Sequence, residues 1–88
     1  MQSDTLSRTI AIVRAHLAAK HPGRPVPEVT ADSEFARDLG CDAIDMVSIC
    51  LDVEDAFCLQ LPPDDPEHCE TVGDLAGLVG ALIKELVA

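Results

Sequence analysis

Basic residues are scarce in this chain of 88 residues: six Lys and Arg stand against 16 Asp and Glu, for a net charge of −10. Such a charge repels nucleic acids and anionic membranes, and it attracts basic surfaces on other proteins. Tryptophan and tyrosine are absent, so the only aromatic side chains available for a core are two phenylalanines. No apolar stretch is long enough to span a bilayer, and no cationic leader opens the chain. We therefore expect a cytoplasmic protein with no nucleic-acid partner and no membrane insertion.

The four cysteines lack the spacing of a metal site or of a disulfide framework. Cys41, Cys50, Cys58 and Cys69 form no CxxC pair. The three histidines add no paired ligands, so we expect no metal ion. The polar cluster around His68 offers no nucleophile–base pair that the sequence supports. We therefore assign no catalytic residue and expect that the chain is not an enzyme.

The length suits one small domain over residues 1–88, and the hydrophobic fraction of 48% is too high for a disordered acidic tail. Three segments space their apolar residues as helices do, and no segment alternates as a strand does. The apolar positions are Leu6, Ile10, Val13 and Leu17; then Ile49, Cys50, Val53 and Phe57; then Val72, Leu75, Leu78, Val79, Leu82, Ile83 and Leu86. The pattern predicts an all-α bundle of three main helices, with at most a short extra helix at residues 64–68.

Prolines separate the first two helices. Pro22, Pro25 and Pro27 remove backbone donors and exclude helical geometry. A long ordered connection follows to about residue 41, and connections of that length in small domains are usually functional. We expect Val29 and Phe35 to anchor this loop in the core.

Two of the predicted helices carry capping signals. The carboxylate of Asp42 is placed to accept hydrogen bonds from the first turn of the second helix, and Asp45 three residues later completes a capping-box arrangement. Thr71, followed three residues later by Asp74, predicts the same arrangement at the start of the last helix. These signals place the beginning of the second helix at residue 43.

The residues that lead into the second helix, together with several residues within and beyond it, form a recognisable sequence motif. It consists of Phe35, Asp38-Leu39-Gly40, Asp42, Ile44 and Asp45, with Phe57 and Leu61-Pro62 in register beyond it. This pattern resembles the prosthetic-group site of acyl carrier proteins, which reads Phe, Asp-Leu-Gly, any residue, then Asp-Ser-Leu-Asp. The resemblance runs from about residue 4 to residue 86. It implies a four-helix bundle with a long first loop.

The resemblance assigns a role to position 43, between Asp42 and Ile44. In the family this position holds a serine, whose hydroxyl is esterified by phosphopantetheine, and the thiol of that group carries acyl chains. The start of a helix suits a phosphate because its N–H groups and dipole present positive charge. Here the residue is Ala43, and a methyl group cannot form a phosphodiester. The resemblance thus implies a carrier of fatty-acid, polyketide or specialised lipid intermediates that stays in the apo form.

Two interpretations of Ala43 remain open. In the first, which we favour, the serine of an ordinary acyl carrier protein has been replaced by alanine. In the second, the chain is a naturally serine-less relative that serves as an interaction or regulatory module. No other residue replaces the serine: Ser33 lacks the preceding Asp-Leu-Gly, Ser48 lies inside the helix, and a thiol at Cys41 would lack the long flexible arm.

The resemblance also implies a recognition surface on the second helix of a monomeric carrier. Basic patches on the phosphopantetheinyl transferase and on acyl-synthase and acyl-transferase enzymes would dock there in transient complexes. The residues assigned to partner binding are Asp45, Val47, Ser48, Leu51, Asp52, Glu54 and Asp55. An acyl chain in this family folds back between the helices, near Leu61 here, and without a prosthetic group we expect that space to be closed core.

Overall fold

The computed structural model describes residues 2–62 and 69–87. Its three helices are α1 (Gln2–Lys20), α2 (Ala43–Phe57) and α3 (Val72–Val87). In these residues the only β pairing is one isolated antiparallel bridge. The predicted all-α bundle is therefore confirmed. The short extra helix predicted at residues 64–68 lies outside the described residues.

The core forms where α1 packs against both α2 and α3. The largest side chains with no solvent contact are Val13, Ile49, Val53, Val72, Leu75, Val79 and Thr9. Burying each apolar member contributes on the order of 1.5–3 kcal/mol. Thr9 has no place in the apolar pattern, but its hydroxyl donates to the Thr5 carbonyl oxygen at 2.7 Å, which makes its burial tolerable.

Phe57 is less buried than its place in the apolar pattern of α2 suggests. It lies at the end of α2, half-buried at the edge of the core. The guanidinium of Arg8 covers its ring at 4.2 Å from the centroid, and the same group donates to the Ala56 carbonyl oxygen at 2.8 Å. A cation–π contact therefore covers part of the ring that we expected the core to enclose.

The long loop between α1 and α2 is fastened to the start of α3. The N–H of Phe35 donates to the Glu70 carbonyl oxygen at 2.9 Å, and the N–H of Gly73 donates to the Ala31 carbonyl oxygen at 2.8 Å. A β-carbon at residue 73 would lie 2.9 Å from that oxygen, so this approach requires glycine. The loop therefore has a fixed path, with Phe35 only 3% exposed.

The predicted cap of α3 is confirmed. The Thr71 hydroxyl oxygen accepts from the N–H of Asp74 at 3.1 Å, and the Asp74 carboxylate accepts from the N–H of Thr71 at 3.1 Å. This reciprocal pair satisfies two donors that the helix itself leaves unpaired.

A polar cluster centred on Asp45 joins α1 to the start of α2. One carboxylate oxygen lies 2.9 Å from His16 Nε2, and the other accepts from Lys20 Nζ and from the N–H of Asp42. The residue is only 6% exposed, so our expectation that Asp45 lies on the outward recognition surface is wrong. A buried carboxylate needs such partners because losing its hydration is costly.

The same contacts shift the protonation of both charged partners. The hydrogen bond from Lys20 is the main reason that the pKa of Asp45 lies well below its usual range. The reciprocal hydrogen bond raises the pKa of Lys20. Each group is therefore held in its charged form at neutral pH.

We predict that Phe35→Ala lowers the free energy of unfolding by about 3–5 kcal/mol, because it removes a buried ring at the point where the loop is anchored. Urea titration followed by circular dichroism measures this loss. Leu86→Ala is the matched control on an exposed site of α3, with an expected change within about 0.5 kcal/mol. A loss at Phe35 below roughly 1 kcal/mol would contradict the loop path.

We also predict that Asp45 makes stability sensitive to acid. Its folded pKa is lower than its unfolded value of about 3.9, so its contribution is complete above that value and is lost as pH falls below it. Asp45→Asn should lower the urea midpoint at pH 7, and the gap from the unaltered chain should narrow between pH 5 and pH 3. Asp52→Asn removes an equal charge from the exposed side of α2 and should leave the midpoint nearly unchanged. An equal gap at every pH would refute the role of the Asp45 charge.

Candidate functional site

Ala43 is the first residue of α2, and it is exposed. The preceding residue, Asp42, is the N-cap, and one of its carboxylate oxygens accepts from the N–H of Asp45 at 2.9 Å. The Asp45 carboxylate accepts in return from the N–H of Asp42 at 3.0 Å. The predicted capping box is therefore confirmed. It sets the direction in which α2 leaves the loop and puts residue 43 on the outer surface.

The turn before α2 depends on Gly40. This residue has a φ of +65°, a backbone conformation that glycine adopts without strain. Lys20 Nζ donates to its carbonyl oxygen at 3.3 Å, and the N–H of Cys41 donates to the Phe35 carbonyl oxygen at 2.8 Å. Buried Leu39 holds the turn from the core side. The backbone that leads to residue 43 is therefore held in place by the core and by α1.

The groups at this site do not fit the covalent attachment of phosphopantetheine. A phosphodiester needs a hydroxyl oxygen, and the exposed side chain at the start of α2 is the methyl of Ala43. Ser33 is buried, and its hydroxyl accepts from the N–H of Thr30 at 2.9 Å. Ser48 is half-buried in the second turn of α2. Burial raises the pKa of the enclosed Cys41 thiol, so this residue is a poor nucleophile as well.

The outward side of α2 carries apolar side chains that the fold leaves uncovered. Ile44 is 77% exposed, Val47 60% and Leu51 58%. Asp52 and Asp55 are exposed beside them. We call these five residues the α2 strip. An exposed apolar patch with a charged border is typical of a surface that binds another protein.

Two further residues from the expected recognition surface are only half-buried. They are Ser48 and Glu54. Glu54 Oε2 accepts from the N–H of Leu61 at 2.7 Å, so its carboxylate fastens the turn after α2. The negative charge that α2 presents outward thus comes mainly from Asp52 and Asp55.

An open groove of about 790 Å³ runs beside the α2 strip. It is lined by Glu34, Phe35, Ala36, Arg37, Cys41, Ala43, Met46, Val47, Cys50, Leu51, Glu54, Leu61, Pro62, Cys69 and Glu70. The described lining comes from α2, from the loop before it and from the segments that follow it, and it includes no residue of α3. Our expectation that an acyl-chain space between the helices is closed core stays a prediction, because this groove lies between α2 and the adjoining loop segments.

Sequence reasoning missed the partners of Asp45 on α1. His16 and Lys20 are four residues apart, so they share one side of the helix. That spacing was a usable signal, because an acid at the start of the neighbouring helix is a natural partner for two such groups.

Within residues 2–62 and 69–87, no helix combines the length and the hydrophobicity needed to cross a membrane.

A protein-family model described as a phosphopantetheine attachment site matches residues 15–79. An acyl carrier protein of Phenylobacterium zucineum is 41% identical over 73 residues, which cover 82% of this chain and 85% of that protein. Acyl carrier protein 3 of Ralstonia nicotianae is 34% identical over 68 residues, covering 77% of this chain and 78% of the relative.

A solved structure from Mycobacterium tuberculosis, assigned as an acyl carrier protein, has the same fold. Its TM-score is 0.75 at 23% identity, and the match covers 89% of this chain and 97% of that one. The structural similarity supports the fold alone, and the family assignment comes from the sequence matches. Because the family model spans most of the chain and the curated relatives reach 41% identity, the chain belongs to the acyl carrier protein family.

Proposed function

We propose that this chain is an acyl carrier protein in a permanently apo form, able to dock with the carrier's partner enzymes but unable to hold an acyl group. In this proposal, residue 43 is the position at which the family attaches phosphopantetheine. The observation that carries it is the exposed place of Ala43 at the first residue of α2, directly beside the α2 strip. A serine in this position would present its hydroxyl to a modifying enzyme.

The parent activity in this proposal is that of an acyl carrier for fatty-acid, polyketide or specialised lipid synthesis. A serine at residue 43 would bear the phosphopantetheine arm, and Asp42 and Ile44 would flank it. A carrier with that serine would need no catalytic group of its own and would act by presenting cargo to enzymes. We further propose that it works as a monomer in the cytoplasm, since its charge of −10 disfavours self-association.

The partners in this proposal are the phosphopantetheinyl transferase and the acyl-synthase and acyl-transferase enzymes. Each would bring a basic patch to Asp52 and Asp55 and an apolar contact to Ile44, Val47 and Leu51. Opposite charges at the border of such an interface mainly speed the encounter and set the orientation. The complexes would therefore be transient, which a carrier that visits several enzymes requires.

A second candidate function is a naturally serine-less interaction or regulatory module. The observation that favours it is the exposed α2 strip beside a residue that has no attachment atom. Such a protein would occupy the docking sites of partner enzymes without being loaded. The two candidates differ in whether residue 43 alone separates the chain from a working carrier.

We predict that the unaltered chain gains no mass when it is mixed with coenzyme A and a broad-specificity phosphopantetheinyl transferase, and that Ala43→Ser becomes a substrate. The change restores one hydroxyl at the exposed start of α2 and leaves the capping box intact. Intact-protein mass spectrometry reads both outcomes, and circular dichroism checks that the variant folds.

The same experiment separates the two candidates. Modification of Ala43→Ser supports the replaced-serine carrier. A folded variant that stays unmodified supports the serine-less module, because the site would then differ by more than one atom. A mass gain on the unaltered chain would mean that another residue is the attachment point and that our placement at Ala43 is wrong.

We predict that the unaltered chain competitively inhibits the modification of a serine-bearing acyl carrier protein by the transferase. Asp55→Lys should raise the inhibition constant roughly tenfold, which corresponds to about 1.4 kcal/mol. Lysine suits the last turn of α2, so the fold should tolerate it. Asp32→Lys makes the same change of charge in the exposed loop and should have little effect. Equal effects of the two variants would show that net charge, and not the α2 strip, governs docking.

A further inference from the structure

Three of the four cysteines line one groove, although they come from different parts of the chain. Cys41 precedes α2, Cys50 lies within α2, and Cys69 lies three residues before α3. The fourth, Cys58, is exposed at the end of α2 and does not line the groove. Folding therefore brings thiols that are far apart in the sequence to the wall of a single cavity.

Cys50 and Cys69 line the groove from different elements, α2 and the segment before α3. Both are half-buried and pack against the core, whereas Cys41 is enclosed. The backbone beside Cys69 has a fixed position, because the Glu70 carbonyl oxygen accepts from the N–H of Phe35 at 2.9 Å. Cys50 is equally fixed by the helix that carries it. The two thiols are therefore held in place by separate rigid elements.

The two thiols also influence each other electrostatically. Burial is the main cause that raises the pKa of Cys50 to about 11, and a negative charge on Cys69 raises it further. An electrostatic effect of this kind weakens with distance, which agrees with the place of both residues on one groove. Within the described residues, no three Cys, His, Asp or Glu side chains are arranged to hold a metal ion, so the thiols do not form part of a metal site there.

We propose that Cys50 and Cys69 are a dithiol pair that oxidises to a disulfide across the groove, with a low-molecular-weight disulfide as the oxidant. The bond would join α2 to the segment that enters α3 and narrow the groove beside Ala43. Access to the groove would then depend on the redox state of the surroundings. This inference stands independently of the proposed carrier function.

The chemistry proceeds by two thiol–disulfide exchanges. The thiolate of Cys69 attacks one sulfur of the small disulfide, forming a mixed disulfide and releasing the first small thiol. The thiolate of Cys50 then attacks the Cys69 sulfur, forming the protein disulfide and releasing the second small thiol. The two protein thiols lose two electrons to the oxidant, and their two protons end on the released thiols. The second step should accelerate as pH rises toward 11, because the pKa of Cys50 is raised.

The test treats the full chain with oxidised glutathione at about pH 8.5, near the ordinary thiol pKa, and isolates the monomer. Trypsin has no site between Arg37 and Lys84, so all four cysteines stay in one tryptic peptide. A protease that cleaves at acidic residues separates them. We expect mass spectrometry to find a peptide pair linked through Cys50 and Cys69. Mixed disulfides alone, or a different internal linkage, would overturn the proposal.

Matched variants test whether the pairing is specific. Cys58→Ser alters the exposed thiol and should leave the linkage intact. Cys50→Ala and Cys69→Ala should each abolish the loss of two hydrogens in the monomer. The result from the unaltered chain stands by itself if either variant fails to fold.

Two physical readouts follow the expected closure. The oxidised chain should melt roughly 10 °C higher than the reduced chain, because the bond closes a loop of about 20 residues. A neutral, polarity-sensitive dye should bind the oxidised chain several-fold more weakly, and dithiothreitol should restore binding. Unchanged dye binding in a chain with the correct linkage would overturn the closure of the groove.

Discussion

The hydrogen bonds of the buried Asp45 carboxylate are the interaction on which the position of α2 and of Ala43 depends. This carboxylate accepts from the N–H of Asp42 and so helps to start α2, while His16 and Lys20 reach it from α1. Because α1 also packs on α3, one buried charge orients the beginning of α2 within the bundle. The outward position of Ala43 follows from this contact. A small domain has few other means of fixing a helix, since its core is small.

One side of α2 packs in the core, and the opposite side carries the surface that we propose for docking. Ile49 and Val53 are completely buried in the core, whereas the α2 strip is exposed to solvent. Val47 and Leu51 belong to both the strip and the wall of the groove. A partner that covers the strip would therefore also cover one edge of the groove. Docking of a partner would therefore limit access to the groove as well.

The proposed function separates docking from loading. The residues offered for docking lie on the helix surface, and none of them requires the oxygen atom that Ala43 lacks. Removing that atom changes neither the capping box nor the charge of α2. The proposed disulfide acts on a third property, the width of the groove, through Cys50 and Cys69. Three properties of one small surface thus depend on different side chains.

The sequence by itself determined the helices, their caps and the missing hydroxyl, because apolar spacing, capping residues and the identity of residue 43 are local features. Only the tertiary structure decided which acids face outward. Asp45 lies on α2 with Asp52 and Asp55, yet it is buried because α1 brings His16 and Lys20 to it. The groove beside α2 likewise depends on where the loop after α1 and the segment before α3 pack against that helix. Distances between elements that are remote in sequence arise from packing, and the periodicity of a single helix does not specify them.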